Sequence, residues 1–307
     1  MNRSRTDPAS MLLHAALEQA VDSLAVRGKV DMRVHGARKA LKRARAALRL
    51  LRPSLGSRVF KREDRALRDA GRKLSSVREA KSLIDAIELF KRSRELVRAS
   101  GPALSTLSSE LERHLEQARR TFADAATRRA CTAMVKSARE RLRHAAPASA
   151  DAAALSVGLR HIYRSGRKAL VRASKRRTVD ALHGWRKHVK YLQASAAALH
   201  GRRNPSLRSV GEQCGDIAAW LGDDHDLANL RDVIIRAGMS RSDTAAVLAG
   251  IDAQRQQLQS DALACGARLF QEKPRAFIAS ATGKAQRAER SRQGRTKPRR
   301  ISAGAKS

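Results

Sequence analysis

Between residues 34 and 52 the chain reads VHGARKALKRARAALRLLR. Val34, Ala37, Leu41, Ala44, Leu48 and Leu51 recur at intervals of three and four. That spacing puts side chains on one face of an α-helix. The same periodicity runs through most of the chain. It predicts helices over 9–27, 31–52, 57–73, 75–99, 103–122, 124–144, 150–174, 179–200, 205–221, 224–237 and 241–270. Breaks are predicted at Gly28, at 53–56, at 101–102, at Pro147, at 204–205 and at Gly238, where glycine and proline interrupt the pattern. No segment alternates with the period of two that a half-buried strand shows. An all-α fold is expected.

The polar face of helix 31–52 is unusual. His35, Arg38, Lys42, Arg45, Arg49 and Arg52 form a second row with the same spacing as the apolar one. Its centre lies roughly 100° around the helix from the apolar row, so the cations flank the core seam rather than oppose it. No acidic residue falls between 34 and 52. Lys39 and Arg43 point farther round, as ordinary solvated charges. A like-charged pair at i,i+4 costs about 0.2–0.5 kcal/mol, so the row is unfavourable on its own. A bound polyanion would reverse the sign of that cost.

The pattern occurs twice. His35-Gly36-Ala37-Arg38-Lys39-Ala40-Leu41-Lys42 aligns with His183-Gly184-Trp185-Arg186-Lys187-His188-Val189-Lys190, 148 residues later. Downstream, LSSVREAKSLI (74–84) aligns with LGDDHDLANLR (221–231), 147 residues later. The second copy has its own apolar seam, formed by Leu182, Trp185, Val189, Leu192, Ala196 and Leu199. Its basic row is shorter, because Gln193 and Ala197 stand where Arg45 and Arg49 would repeat. Helix 150–174 adds Arg160, Arg164, Arg167 and Lys168 at similar spacing. A helical unit repeated at this length predicts two similar antiparallel bundles, with halves at about 9–144 and 150–270, related by a pseudo-twofold. The two basic rows would then line one groove. Gly36 and Gly184 are read as points of close packing.

Charge narrows the partner. The chain of 307 residues holds 64 Lys plus Arg against 29 Asp plus Glu, a formal net charge of +35. Such an excess points to nucleic acid, an anionic membrane or another phosphate polymer. A hydrophobic fraction of 42% excludes a wholly disordered basic chain. Aromatic residues are only 3%, so the core must be built from Leu, Ala, Val and Ile. Residues 281–307 lose the apolar periodicity and are expected to be a disordered basic tail that adds nonspecific grip. Cys131, Cys214 and Cys265 lack metal or redox spacing and are read as buried reduced thiols. Neither a signal peptide nor an apolar run of membrane-spanning length is present, so a cytoplasmic protein without membrane contact is expected.

Two functions compete on these grounds. The first is a binding module for inorganic polyphosphate, whose linked phosphates need only a track of cations. The second is a nucleic-acid-binding, nucleoid-associated protein. Single-strand binders offer aromatic stacking platforms. Here only Tyr163, Tyr191, Trp185 and Trp220 are candidates, and Trp185 falls on a core seam. An enzyme is not expected. Asp223-Asp224-His225-Asp226 looks like a metal cluster, but neighbouring residues on one helical turn cannot all face one ion. Its repeat mate Val77-Arg78-Glu79 would repel a cation, and acids are favourable at a helix start in any case. Asp226 and Glu79 are read as holding basic neighbours in place, with His225 and Arg78 facing the groove. No P-loop, nucleophile elbow or dinucleotide glycine pattern occurs. No metal and no cofactor is expected.

These residues resemble the CHAD family, the conserved histidine α-helical domain. Its members carry a His followed by Arg and Lys at i+3 and i+7, twice per chain, each followed by a motif of the LG-x-x-(R/H)-D type. The matching positions here are His35/Arg38/Lys42/Arg45, His183/Arg186/Lys190, Ser76-Val77-Arg78-Glu79 and Leu221-Gly222-Asp223-Asp224-His225-Asp226. The resemblance spans residues 5 to 280. It implies two four-helix bundles around a basic groove or pore that binds inorganic polyphosphate, and association with polyphosphate granules. The chain departs from the pattern at Leu74-Ser75, at Glu79 and at Gln193. Some members carry a triphosphate-hydrolysing domain with an E-x-E-x-K signature. The nearest match, Glu110-Leu111-Glu112-Arg113-His114, breaks that pattern. The expected polyphosphate-binding set is His35, Arg38, Lys42, Arg45, Arg49, Arg78, Arg164, Arg167, His183, Arg186, Lys190 and His225.

Overall fold

The computed structural model describes residues 7–91, 101–123, 125–145, 150–200, 204–236 and 241–281. The expectations placed on 92–100, Pro147, Gly238 and residues 282–307 lie outside them. The chain is all-α, and the described residues contain no strand. Its helices are α1 (Pro8–Ala25), α2 (Val30–Arg72), α3 (Ser75–Lys91), α4 (Gly101–Ala123), α5 (Ala125–Ala145), α6 (Ala152–Arg176), α7 (Val179–His200), α8 (Pro205–Arg236) and α9 (Arg241–Leu269). A further helical stretch runs over 274–281. Asp7 caps α1 by accepting from the amides of Ala9 and Ser10, each at 2.9 Å. Its second carboxylate oxygen accepts from Ala150 at 2.8 Å, tying the entry of α6 to the start of the chain.

Helix α2 organises the molecule. Gly56, at φ 76 and ψ 160, breaks its helical backbone next to Pro53, as those residue types predict. The break folds α2 into an antiparallel hairpin: Arg38 meets Gly71, while Arg45 and Arg49 both meet Asp64. Helices α1, α5, α6 and α7 pack around α2, with α5 meeting its second arm at Glu63 and Ala70. Every position of the first arm's apolar seam is buried, and so are Ala40, Ala46, Ala47 and Leu50. Alanine permits this, because a small side chain lets neighbouring backbones approach. At the crossing with α6 a Cβ on Gly158 would lie 2.1 Å from the Leu50 carbonyl oxygen, so only glycine fits. What remains unburied along this arm is the row of cations and their neighbours.

The main core runs without a break from α1 and α2 through α5, α6 and α7 to the first half of α8. A smaller core lies where the far ends of α3 and α4 meet α8 and α9, built on Ile87, Leu111, Leu227, Leu230, Ile234 and Ile251. Both cores therefore draw on both halves of the sequence.

Two expectations are corrected. The stretch predicted as helices 205–221 and 224–237 is the single helix α8. Glycine in a helix interior costs about 1 kcal/mol relative to alanine, too little to break a helix whose neighbours Leu221 and Leu227 are buried. In the first copy the corresponding place does break, at Lys73 and Leu74 between α2 and α3. Gly184 also has open space where its side chain would be, so no close packing requires it, whereas a Cβ on Gly36 would lie 2.8 Å from Ser23 Oγ.

Candidate functional site

Cations of the two basic rows act on one another: Arg186 and Lys190 on Lys42, and Lys39 on Lys190. Arg38 and Lys42 come from α2, Arg186 and Lys190 from α7, and Arg78 from α3. Lys42 marks their centre. Its pKa is lowered to about 8 by surrounding protein first and then by the charges of Arg38, Arg186, Lys190 and Arg78. Yet its side chain is exposed to solvent. Five cations from three helices act on one another around this solvent-exposed side chain.

The two arginines are held alike. Arg38 donates from Nη1 to the Gly71 carbonyl at 2.6 Å, and Arg186 donates from Nε to the Ala218 carbonyl at 2.9 Å. Gly71 and Ala218 each stand three residues before the leucine that opens the second repeated motif, Leu74 or Leu221. The nearest acids correspond as well: Glu79 is the acid acting on Arg38, and Asp226 is the first of two acting on Arg186. Gly222 has a specific purpose here. A Cβ on it would lie 2.6 Å from Arg186 Nη2, so the glycine lets the guanidinium lie against α8. Each guanidinium keeps further N–H donors for a ligand.

Acids touch the site loosely. Arg78 lies 3.7 Å from Asp226 and 3.7 Å from Asp85. Burial is the main cause that raises the Asp226 pKa to about 6, against the pull of Arg78 and Arg186. Asp223 is raised by burial too. The run Asp223-Asp224-His225-Asp226 diverges: Asp224 turns into the α8–α9 interface, where it accepts from Arg255 Nε at 3.0 Å and Gln259 Nε2 at 2.8 Å. Among the described residues no group of three His, Cys, Asp or Glu is placed to hold a metal ion.

Three histidines beside the cations are pushed towards their neutral forms. His183 and His225 pack with ring centroids 4.5 Å apart. Surrounding protein, then His225, Arg186 and Lys42, lower the His183 pKa to about 4. His225 and His35 are lowered for the same first reason, with Arg186 the next cause at His225 and Arg78 at His35.

The rest of the α2 row behaves differently. Arg45 and Arg49 both pair with Asp64 at 2.8 Å, so the row is not left unpaired as the stretch 34–52 implied. The acid comes from the second arm of α2, returned by the kink at Gly56. Arg49 also stacks its guanidinium 3.9 Å from the centroid of the buried Tyr191 ring. Arg164 and Arg167 are not among the charges that act on Lys42. They are exposed on α6, where they line an open notch with Lys168, Val171 and Pro274, and Arg167 Nε donates to the Phe270 carbonyl at 3.1 Å. Among the described residues no interaction joins them to the cluster.

Two lysines missed as site residues belong to the surroundings. Lys39 acts on His35 and Lys190, while Lys187 acts on His183 and His188. They are repeat mates, 148 residues apart, and that coincidence was the available signal. Of the aromatic candidates for stacking, Trp185, Tyr163 and Tyr191 are buried, and Trp220 is half-buried and packs against the core.

Comparison with curated proteins and with solved structures returns no match. The family model of the CHAD domain matches residues 11–234, from α1 to the last turns of α8. That span holds both basic rows, both arginine-to-carbonyl bonds and Gly222, and the chain belongs to the CHAD-domain family.

Proposed function

We propose that the groove between α2, α3 and α7 binds inorganic polyphosphate and that the chain acts as a binding protein rather than an enzyme. The observation that carries this reading is the convergence of Arg38, Arg78, Arg186 and Lys190 around the solvent-exposed Lys42. Membership of the CHAD-domain family supports it, since that domain is known in polyphosphate-related proteins. Linked phosphates present a charge at every unit. Arg38 and Arg186 would each give forked contacts and Lys42 and Lys190 point charges, with counterion release driving the association. Burial of the stacking-capable rings weighs against single-stranded nucleic acid. The matched bonds of Arg38 and Arg186 favour two related helical bundles about a pseudo-twofold, with the groove on the axis. On this reading the protein resides on polyphosphate granules in the cytoplasm.

The test is a titration with long-chain polyphosphate at several salt concentrations. Native chain is expected to bind with an affinity that falls steeply with salt. Replacing Arg38, Lys42, Arg186 and Lys190 together by Ala is expected to abolish binding while leaving the helical circular dichroism unchanged. Unaltered affinity in a folded quadruple variant would place the site elsewhere.

A further inference from the structure

Lys42 differs from the cations around it. Arg38 and Arg186 each donate to a backbone carbonyl, Arg78 faces Asp85 and Asp226, and Lys190 reaches Gln193 Oε1 at 3.4 Å. Among the described residues Lys42 makes no hydrogen bond and no ion pair. No carboxylate holds its proton, four neighbouring cations repel it, and solvent reaches the side chain. With a pKa of about 8, roughly a fifth of Lys42 is a neutral amine at about pH 7.4, against roughly one in a thousand for an ordinary lysine. A neutral amine is the form that attacks a carbonyl. The same cations that release the proton also attract phosphate.

We infer that Lys42 is a covalent acylation site for small acyl phosphates, with Arg38 and Arg186 holding the donor's phosphate beside the Lys42 amine. The Nζ lone pair attacks the acyl carbon and a C–N bond forms. The bond from that carbon to the bridging oxygen breaks, and its electron pair leaves with phosphate. The proton lost by the amine goes to the leaving group, so the products are an N-acyl-lysine and hydrogen phosphate. No further reactant is needed. The arginines assist by neutralising the departing dianion, as fixed cations do at other phosphoryl leaving groups. Acylation removes a charge at the centre of the groove. If the groove holds polyphosphate as proposed above, the modified chain binds it more weakly. The chemistry at Lys42 does not depend on that reading.

The experiment treats the full chain with acetyl phosphate near neutral pH and follows each lysine by peptide mass spectrometry. Lys42 is expected to be acetylated more than about tenfold faster than the exposed Lys29 and Lys61. A parallel reaction with the neutral donor N-acetylimidazole separates phosphate capture from amine reactivity. There the advantage of Lys42 is expected to shrink by about threefold or more. Acetylation of Lys42 by acetyl phosphate no faster than at Lys29 and Lys61 overturns the proposal. An equal advantage with both donors overturns the role given to Arg38 and Arg186. Both comparisons use the unaltered chain, so neither depends on a variant folding. A third arm adds long-chain polyphosphate. Protection of Lys42 supports the groove as its site. Rapid acetylation without protection leaves the acylation intact and contradicts the polyphosphate reading.

Discussion

The basic row of α2 and that of α7 differ in length and yet offer the groove nearly the same thing. The α2 row runs from Arg38 to Arg52, while the α7 row ends at Lys190 because Gln193 follows. The structure removes most of that difference. Asp64 takes up both Arg45 and Arg49, which leaves Arg38 and Lys42 on one side against Arg186 and Lys190 on the other. A cation's availability is therefore set by what the fold brings to it and not by how many share its helix. Paired arginines retain a positional use: Arg49 lies over Tyr191 and packs the α2–α7 contact.

If the two rows are equivalent, removing either pair should hurt equally. Arg38→Ala with Lys42→Ala, and Arg186→Ala with Lys190→Ala, are each expected to weaken polyphosphate binding by about a hundredfold, since a hydrogen bond to a charged group contributes about 1.5–3 kcal/mol. Equilibrium titration of the two variants measures this. A loss confined to the α2 pair would break the equivalence.

Asp64→Asn should expose the difference in length that the fold hides. Freeing Arg45 and Arg49 is expected to raise polyphosphate affinity several-fold while lowering folding stability by about 1–2 kcal/mol, read by denaturant unfolding. The sign with pH follows from the Asp64 pKa. Burial is its largest single influence and acts upward, but Arg45 and Arg49 outweigh it and hold the carboxyl at about 2. Its contribution is present above the ordinary Asp pKa of about 3.9 and is lost as pH falls towards 2. The variant should lack that acid limb.

Asp226 offers a milder test. Its pKa of about 6 means that its ionised form opposes phosphate at neutral pH and is lost as pH falls through 6. Native affinity should rise about threefold between roughly pH 7 and 5, and Asp226→Asn should show the higher affinity throughout. His183 stays neutral over this range, so it does not supply the step. The same raised pKa lowers folding stability as pH rises from the ordinary Asp value to about 6, and the variant should flatten that slope.

The smallest effect concerns Arg164 and Arg167. Their joint replacement by Ala should change polyphosphate affinity less than about twofold, because both line the notch on α6 beside Pro274 and neither is among the charges that act on Lys42. A large loss would extend the site to that notch.

Much of this was legible before any coordinates. Period 3.6 and the positions of glycine and proline located the helices, because both features act through local backbone geometry. The likeness of Arg38 and Arg186 was legible in the repeated motif, and each donates to a backbone carbonyl three residues before the leucine of the second motif. The capture of Arg45 and Arg49 was not. It depends on Gly56 returning Asp64 against them, and the wheel of a straight helix contains no such information. The course of α8 through Gly222 was missed for a related reason. A glycine that makes room for a guanidinium from α7 has the same letter as one that ends a helix. The surroundings of Arg164 and Arg167 were not legible either, because spacing on α6 fixes a face but not what that face meets.

The most direct test of the groove is competition at fixed ionic strength. Native chain bound to labelled long-chain polyphosphate is challenged with unlabelled polyphosphate, double-stranded DNA or RNA at equal phosphate concentration. The account predicts that polyphosphate displaces the label and that neither nucleic acid does so comparably. Displacement by DNA or RNA as effective as by polyphosphate would contradict it.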